Sequence, residues 1–268
     1  MRVSDLNEYL LGRFPADHAE PWDHIGLACG VPCDPVDRVA VALDASDASI
    51  KAAAKLGANV LVTHHPVYIK APDAFVSDGT SYPSSSFAIF HAIERGMSVL
   101  SYHTNLDRSH EARRVLADKL GLRPVSSLEF PDDPERCGLG SVCEGEPVSL
   151  DELVTRCALA FHTDPRVWGD PNRRIERIAI LGGSLGDFGE AALRCGADVI
   201  VTGEAGYHVA QDLHARGCDV ILLGHDRSEE PFTAILMDAV HCAGIHKDRI
   251  CRIGPSRQWW TRTEQEQL

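Results

Sequence analysis

The sequence has no apolar run approaching the ~20 residues of a membrane-spanning helix. Its first eight residues, Met-Arg-Val-Ser-Asp-Leu-Asn-Glu, carry charge where a signal peptide would be apolar, so no signal peptide is expected. Basic residues are scarce: 26 Lys and Arg face 39 Asp and Glu, a net charge of −13. That balance excludes broad binding to nucleic acid or anionic membranes and leaves room only for a local basic pocket. Among nine cysteines there is no Cys-x-x-Cys. An odd count leaves one thiol over from any full disulfide framework, and 268 residues at 44% hydrophobic can build a core without one. The thiols are therefore predicted to be reduced, mostly buried small hydrophobes of a cytoplasmic protein. Cys29 and Cys33 are an isolated pair with no second pair at zinc-ribbon spacing, which disfavours structural zinc there. A Walker-type phosphate loop is also missing, and Gly182-Gly-Ser-Leu-Gly186 is too loose for a dinucleotide fingerprint.

What the chain does contain is an internal repeat. Arg38-Val-Ala-Val-Ala-Leu leads through Lys55-Leu-Gly57-Ala-Asn-Val-Leu-Val-Thr63-His64-His65. Arg177-Ile-Ala-Ile-Leu-Gly leads through Arg194-Cys-Gly196-Ala-Asp-Val-Ile-Val-Thr202-Gly203-Glu204. The spacing is 139 residues both from Arg38 to Arg177 and from Gly57 to Gly196. A second echo, Arg95-Gly96 through His103 against Arg216-Gly217 through Gly224, follows at 121, with extra loop in the first copy at about 68–86. Each copy reads strand, helix, strand, helix, strand. The strands are short continuous apolar runs (Val39–Leu43, Val60–Val62, Val99–Ser101; Ile178–Leu181, Val199–Val201, Val220–Leu223), as suits strands covered on both faces. The expected fold class is α/β, with two pseudo-repeated units and mainly parallel sheets joined by right-handed crossovers. A single domain over 1–262 is expected, with units at about 36–122 and 174–262. The connector at about 123–173 holds a helix opened by the capping pattern Ser149-Leu-Asp-Glu152. Ser4 is predicted to cap a first helix with Leu6, Tyr9, Leu10 and Phe14 on one face. A helix over Pro231–Ala243 and a strand near Ile250–Ile253 are predicted toward the end of the sequence.

In parallel α/β sheets, ligands bind beyond the carboxyl ends of the strands. Those ends carry His64 and His65, then His103 and Asp107, then Gly203-Glu204, then His225 and Glu229. Imidazoles and carboxylates without cysteine suit zinc, iron, manganese or nickel. Neighbouring side chains diverge, so His64 and His65 can serve two different ions, with Asp107 best placed to bridge them. His225 and Glu229 from the second copy complete the set. Five protein ligands for two divalent ions leave positions open for water and substrate.

The motifs at these positions resemble those of the Nif-three-like family, the GTP cyclohydrolase 1 type 2 homologs that include the YbgI-like bacterial proteins. The resemblance covers about 4–260. It rests on Trp22-Asp-His-Ile-Gly-Leu27, His64-His65-Pro66, His103-Thr-Asn-Leu-Asp107, Thr202-Gly203-Glu204 and Gly224-His225-x₃-Glu229. It implies two metal ions held by His64, His65, Asp107, His225 and Glu229, and a toroidal homohexamer with the centres facing an internal cavity. The chain departs from the family pattern at His24, where Asn is common, at Gly206-Tyr207-His208, and at Asp226-Arg227-Ser228. No ligand position is lost; the rim of the site is changed.

The function expected is a metal-dependent hydrolase acting on a small, nucleotide-like substrate, with Glu204 and His103 as proton-transfer candidates. For both residues the alternative is a group that orients a liganding imidazole. His208 is a further candidate for the cavity wall. The family name implies opening of the guanine imidazole ring of GTP with release of formate; phosphate-ester cleavage is the chemical rival. A metal-binding regulator or metallochaperone without turnover is the alternative from another class.

Overall fold

The computed structural model describes residues 1–255 and 259–260, so positions 256–258 and 261–262 of the expected second unit lie outside the described residues. In chain order the elements are α1 (Val3–Arg13), β1 (Gly26–Cys29), β2 (Val39–Ala42), α2 (Asp47–Lys55), β3 (Val60–Thr63), α3 (Ser84–Glu94), β4 (Ser98–Ser101), α4 (Thr104–Asp107) and α5 (His110–Lys119). Then follow β5 (Arg123–Ser126), β6 (Ser141–Ser149), α6 (Leu150–Phe161), β7 (Arg166–Trp168), β8 (Arg174–Ser184), α7 (Phe188–Arg194), β9 (Val199–Glu204) and α8 (Tyr207–Ala215). The chain continues with β10 (Asp219–Leu222), α9 (His225–Glu229), α10 (Phe232–Cys242) and β11 (Ile250–Arg252). No helix among the described residues is long and apolar enough to cross a membrane.

The strands form two sheets, ordered β1-β4-β3-β2-β11 and β5-β6-β8-β9-β10-β7. The repeat is visible in both. Strands β2, β3 and β4 pair in parallel, as do β8, β9 and β10. Helix α2 ends where Gly57 takes φ +71°, and α7 ends where Gly196 takes the same φ, so the repeated glycine does the same left-handed work twice. The antiparallel strands β1, β5, β6 and β7 were not among the expected elements. Three of them come from the connector, which is therefore a working part of the second sheet. Their patterns are mixed in burial, unlike the wholly buried β2, β3, β4 and β10, so they lack the plain apolar signature.

The first helix also starts earlier than predicted. Arg2 is its N-cap and donates its backbone N–H to Asp5 Oδ2 at 2.8 Å, leaving Ser4 inside the first turn. Leu6, Leu10 and Phe14 are buried, whereas Tyr9 is exposed at the edge of that face.

Strand β11 pairs with β2, Ile250 beside Val39, so the end of the second unit completes the sheet of the first. One apolar cluster runs through Val41, Val62 and Leu100 of the first sheet, Ile178, Val199 and Ile221 of the second, and Leu236 of α10 between them. The two units thus share a core. Registers bring strand ends level: Thr63 beside Ser101 in one sheet, Thr202 beside Leu222 in the other. The residues just past those ends meet across the gap.

Candidate metal centre

His64 and His65 leave β3 in succession and point apart, their ring centroids 5.0 Å from one another. His64 is fully buried, edge-on to Phe232 at 5.0 Å; His65 turns toward a second cavity. His103 follows β4 and precedes α4, and that one short turn returns Asp107 to the same spot. His225 and Glu229 stand four residues apart on α9, hence on one face. Glu204 is the last residue of β9. The structure brings all of them together. Ligand atoms lie within 4.8 Å of one another in three overlapping groups: His64, His65 and His103; His65, His225 and Glu229; and His64, Asp107 and Glu229. None of the three contains a cysteine. All nine cysteines are free, Cys29 and Cys33 included. His208, on α8, lines neither cavity that reaches this cluster.

Each imidazole is held by its far nitrogen. His64 Nδ1 donates to the carbonyl of Tyr102 at 3.0 Å, which turns an unprotonated Nε2 toward the cluster. His65 Nδ1 donates to Asp44 Oδ1 at 2.8 Å, and His225 Nδ1 to Glu204 Oε1 at 2.9 Å. His103 Nδ1 donates to Asp23 Oδ1 at 3.0 Å; Asp23 also accepts from the backbone and hydroxyl of Thr104. Such carboxylate–imidazole pairs fix the tautomer and aim of a liganding ring. Sequence reasoning missed Asp44 in this role, although it sits just past β2 and the same strand-end rule reaches it.

Charge is concentrated at Glu229. Its carboxylate accepts from His65 Nε2 at 2.8 Å and lies 3.1 Å from His225 Nε2. Burial works against its charge, but the hydrogen bonds from His225 and His65 outweigh it and hold the carboxyl well below its usual range. Burial likewise opposes the charge on His65, yet bonds to Asp44 and Glu229 raise its pKa to about 10. The bond to Glu229 chiefly raises His225 to about 9. Burial lowers His64. Burial, then the neighbouring Glu229, pushes Asp107 up to about 7.

The donor set fits metal ions by its own geometry. His64 Nε2 and Asp107 Oδ1 are buried, 3.5 Å apart, and neither has a hydrogen-bond partner. Orphaned buried polar atoms are costly in a folded protein, and a cation between them would satisfy both. The backbone makes room for the same set. A Cβ at Gly183, where φ is +64°, would fall 2.2 Å from Glu229 Oε1, and one at Gly182 3.1 Å from Glu229 Cγ. The loose glycine run of the sequence is thus the cradle of Glu229. Cavities of ≈ 470 Å³ and ≈ 580 Å³ open on the two sides of His225, the first past His103, Asp107 and Trp22, the second past His65, Glu204 and Trp259.

The family model for Duf34/NIF3 (NGG1p interacting factor 3) matches residues 1–248. The chain is 32% identical over 224 residues to a GTP cyclohydrolase 1 type 2 homolog of Streptomyces coelicolor, covering 80% of this chain and 76% of that one. It is 30% identical over 254 residues to the protein of the same name in Clostridium acetobutylicum, covering 92% and 93%. The crystal structure of the hypothetical protein SA1388 of Staphylococcus aureus superposes with a TM-score of 0.87 at 24% identity, over 98% of this chain and 99% of that one. That likeness extends to the fold. On the match along nearly its whole length, the chain belongs to the Duf34/NIF3 family.

Proposed function

We propose that the protein is a metal-dependent hydrolase of a small, nucleotide-like substrate. The observation that carries the proposal is the pair of orphaned buried atoms, His64 Nε2 and Asp107 Oδ1, inside a ring of six donors that opens on two cavities. In this reading His64, His65, Asp107, His225 and Glu229 hold two divalent ions, drawn from zinc, manganese, iron or nickel. Bound there, such ions supply Lewis acidity and lower the pKa of water. The relatives' name, GTP cyclohydrolase 1 type 2 homolog, makes GTP the first substrate to try.

The chain's own groups divide the remaining work. Asp44 and Glu204 aim His65 and His225. His103 is backed by Asp23, whose carboxyl is held well below its usual range because bonds from His103 and Thr104 outweigh the cost of burial. Asp23 fixes the proton on Nδ1, so the other nitrogen of His103 is free to take up and return a proton beside His64 and His65. Glu204, committed to His225, is a positioning residue in this scheme.

The test is turnover of metal-loaded protein with GTP, read as formate, and with nucleotide phosphoesters, read as phosphate. His103→Ala is expected to keep its metals and lose turnover by ~10²–10⁴. Glu204→Gln keeps an acceptor oxygen for His225 and is expected to lose less than about tenfold. Metal loss in His103→Ala would make that residue a ligand instead. A large loss in Glu204→Gln with metals intact would return the proton to Glu204. A fully loaded wild type that turns over nothing would favour a metal-binding regulator.

A further inference from the structure

The cavity beside His65, Glu204 and His225 holds two side chains that the proposed hydrolysis does not use. Trp259 donates its indole Nε1–H to Asp226 Oδ1 at 2.9 Å. Its benzo edge occupies the space that a side chain at position 224 would need: a Cβ on Gly224 would lie 2.6 Å from Cζ2. The indole is therefore pinned along its rim at two points, while 40% of the residue stays exposed at the cavity wall. Arg166, exposed on β7, lines the same cavity and has no ion-pair partner among the described residues. The acids nearest the centre are occupied, Asp44 by His65, Glu204 by His225 and Asp226 by Trp259. In a chain with 39 acidic residues, a guanidinium with no ion-pair partner among the described residues, lining the same cavity as an uncovered indole, is a specific combination.

The other cavity lacks it. Around Trp22 the arginine, Arg113, is engaged by the Pro134 carbonyl and His110, and Glu20 and Asp187 line the same wall.

We propose that Trp259 and Arg166 form the substrate subsite of the centre, taking a planar heteroaromatic ring that carries an anionic group. The ring stacks on Trp259 and the anion pairs with Arg166. The scissile part is thereby delivered to the His65–His225 side of the ring of donors. This rests on the hydrolase reading and adds to it which cavity receives substrate and which residues select it. At ≈ 580 Å³ the cavity is within the ordinary range of small-molecule sites.

The experiment is calorimetric binding of three probes to the metal-loaded full chain: GMP, guanosine, and ribose 5-phosphate. Trp259→Ala is expected to weaken GMP and guanosine about 5–150-fold, the range of one base–aromatic stack, and to leave ribose 5-phosphate within about twofold. Trp259→Phe retains most of the affinity. Arg166→Gln shows the converse pattern, weakening GMP and ribose 5-phosphate and sparing guanosine. Trp260→Ala, at a residue that does not line the cavity, leaves all three unchanged. Equal weakening of all probes by Trp259→Ala, no weakening, or a wild type that binds none of them overturns the proposal. Formate and phosphate release are measured in parallel. The expected binding pattern without turnover would sink the hydrolase reading and leave the subsite standing. Turnover without ring selectivity would do the reverse.

Discussion

Loading the centre with metal should expel protons, and the structure sets how many. In the metal-free protein His65 has both ring nitrogens on carboxylates, Asp44 and Glu229, and His225 has Glu204 and Glu229. With pKa values of about 10 and about 9, both rings are imidazolium at pH 7.5. A liganding imidazole must give up the proton on its metal-facing nitrogen, so these two rings release about two protons. Asp107, raised to about 7, adds part of a further proton, more of it at pH 6 than at pH 7.5. His64, already lowered, adds none. Ionisation of a water drawn in with the ions adds up to about one more. Titrating zinc into apo protein by calorimetry, in buffers of different ionisation enthalpy, reads this number directly. The expected count is between about two and three at pH 7.5, rising as pH falls to 6, and lower by about one in His225→Ala. Release of less than one proton at pH 7.5 would refute the charge assignment around Glu229. The same values fix the pH profile of the apo protein. The raised pKa values of His65 and His225 contribute stability that is complete below about pH 6.5 and lost as pH rises through 9 and 10. Asp107, raised from the ordinary carboxyl range, contributes stability present in acid and lost as pH rises through 7.

Three further outcomes follow from the same geometry. Asp107→Ala should lose both ions or nearly both, and His65→Ala at least one, by elemental analysis of dialysed protein; full occupancy in Asp107→Ala would remove it from the bridging position. Gly183→Ala places a methyl group against Glu229 Oε1 at a left-handed position. It should lower metal occupancy and cost about 1–3 kcal/mol by thermal unfolding, and wild-type values for both would show that the cradle is not required. The resemblance implies six subunits, so light scattering of metal-loaded protein at micromolar concentration should give a hexamer mass, and a monomer would set that expectation aside.

The parts of the fold that the sequence announces are those governed by local rules. Apolar runs that follow a helix-ending glycine mark β3, β4, β9 and β10, because a buried parallel strand and a left-handed helix stop each have a compositional signature. The antiparallel strands β5, β6 and β7 have none: Arg123-Pro-Val-Ser and Arg166-Val-Trp are half exposed and owe their pairing to neighbours far along the chain. The destination of β11 was equally hidden. An apolar run at Ile250 predicts a strand, but pairing with β2, some 210 residues earlier, depends on how the two units pack. At the site the ligand candidates were legible as strand-end imidazoles and carboxylates. Asp44 is reached by the same strand-end rule, but its bond to His65 and the space that Gly182-Gly183 supplies are properties of the assembled centre and were not legible.

That assembly explains why, among the described residues, the two copies share one candidate centre. At the conserved spacing of 139 residues, His64 and His65 of the first copy correspond to Gly203 and Glu204 of the second. A side chain cannot stand at Gly203: its Cβ would lie 2.5 Å from the Gly183 carbonyl, 2.6 Å from Ser228 Oγ and 2.9 Å from His225 Cα. The second copy therefore yields its first imidazole position as space, and α9 uses that space to bring His225 and Glu229 down onto the first copy's histidines. Its next position, Glu204, turns into a support for His225. One copy supplies the ring nitrogens of His64, His65 and His103 together with Asp107, and the other supplies the carboxylate that touches His65 and the imidazole beside it. Glu229 is where the two meet, bonded to a histidine of each copy, so the centre exists only when both halves are folded against one another. If the centre holds metal as proposed, ion binding and the docking of the two halves are a single equilibrium, and each should strengthen the other.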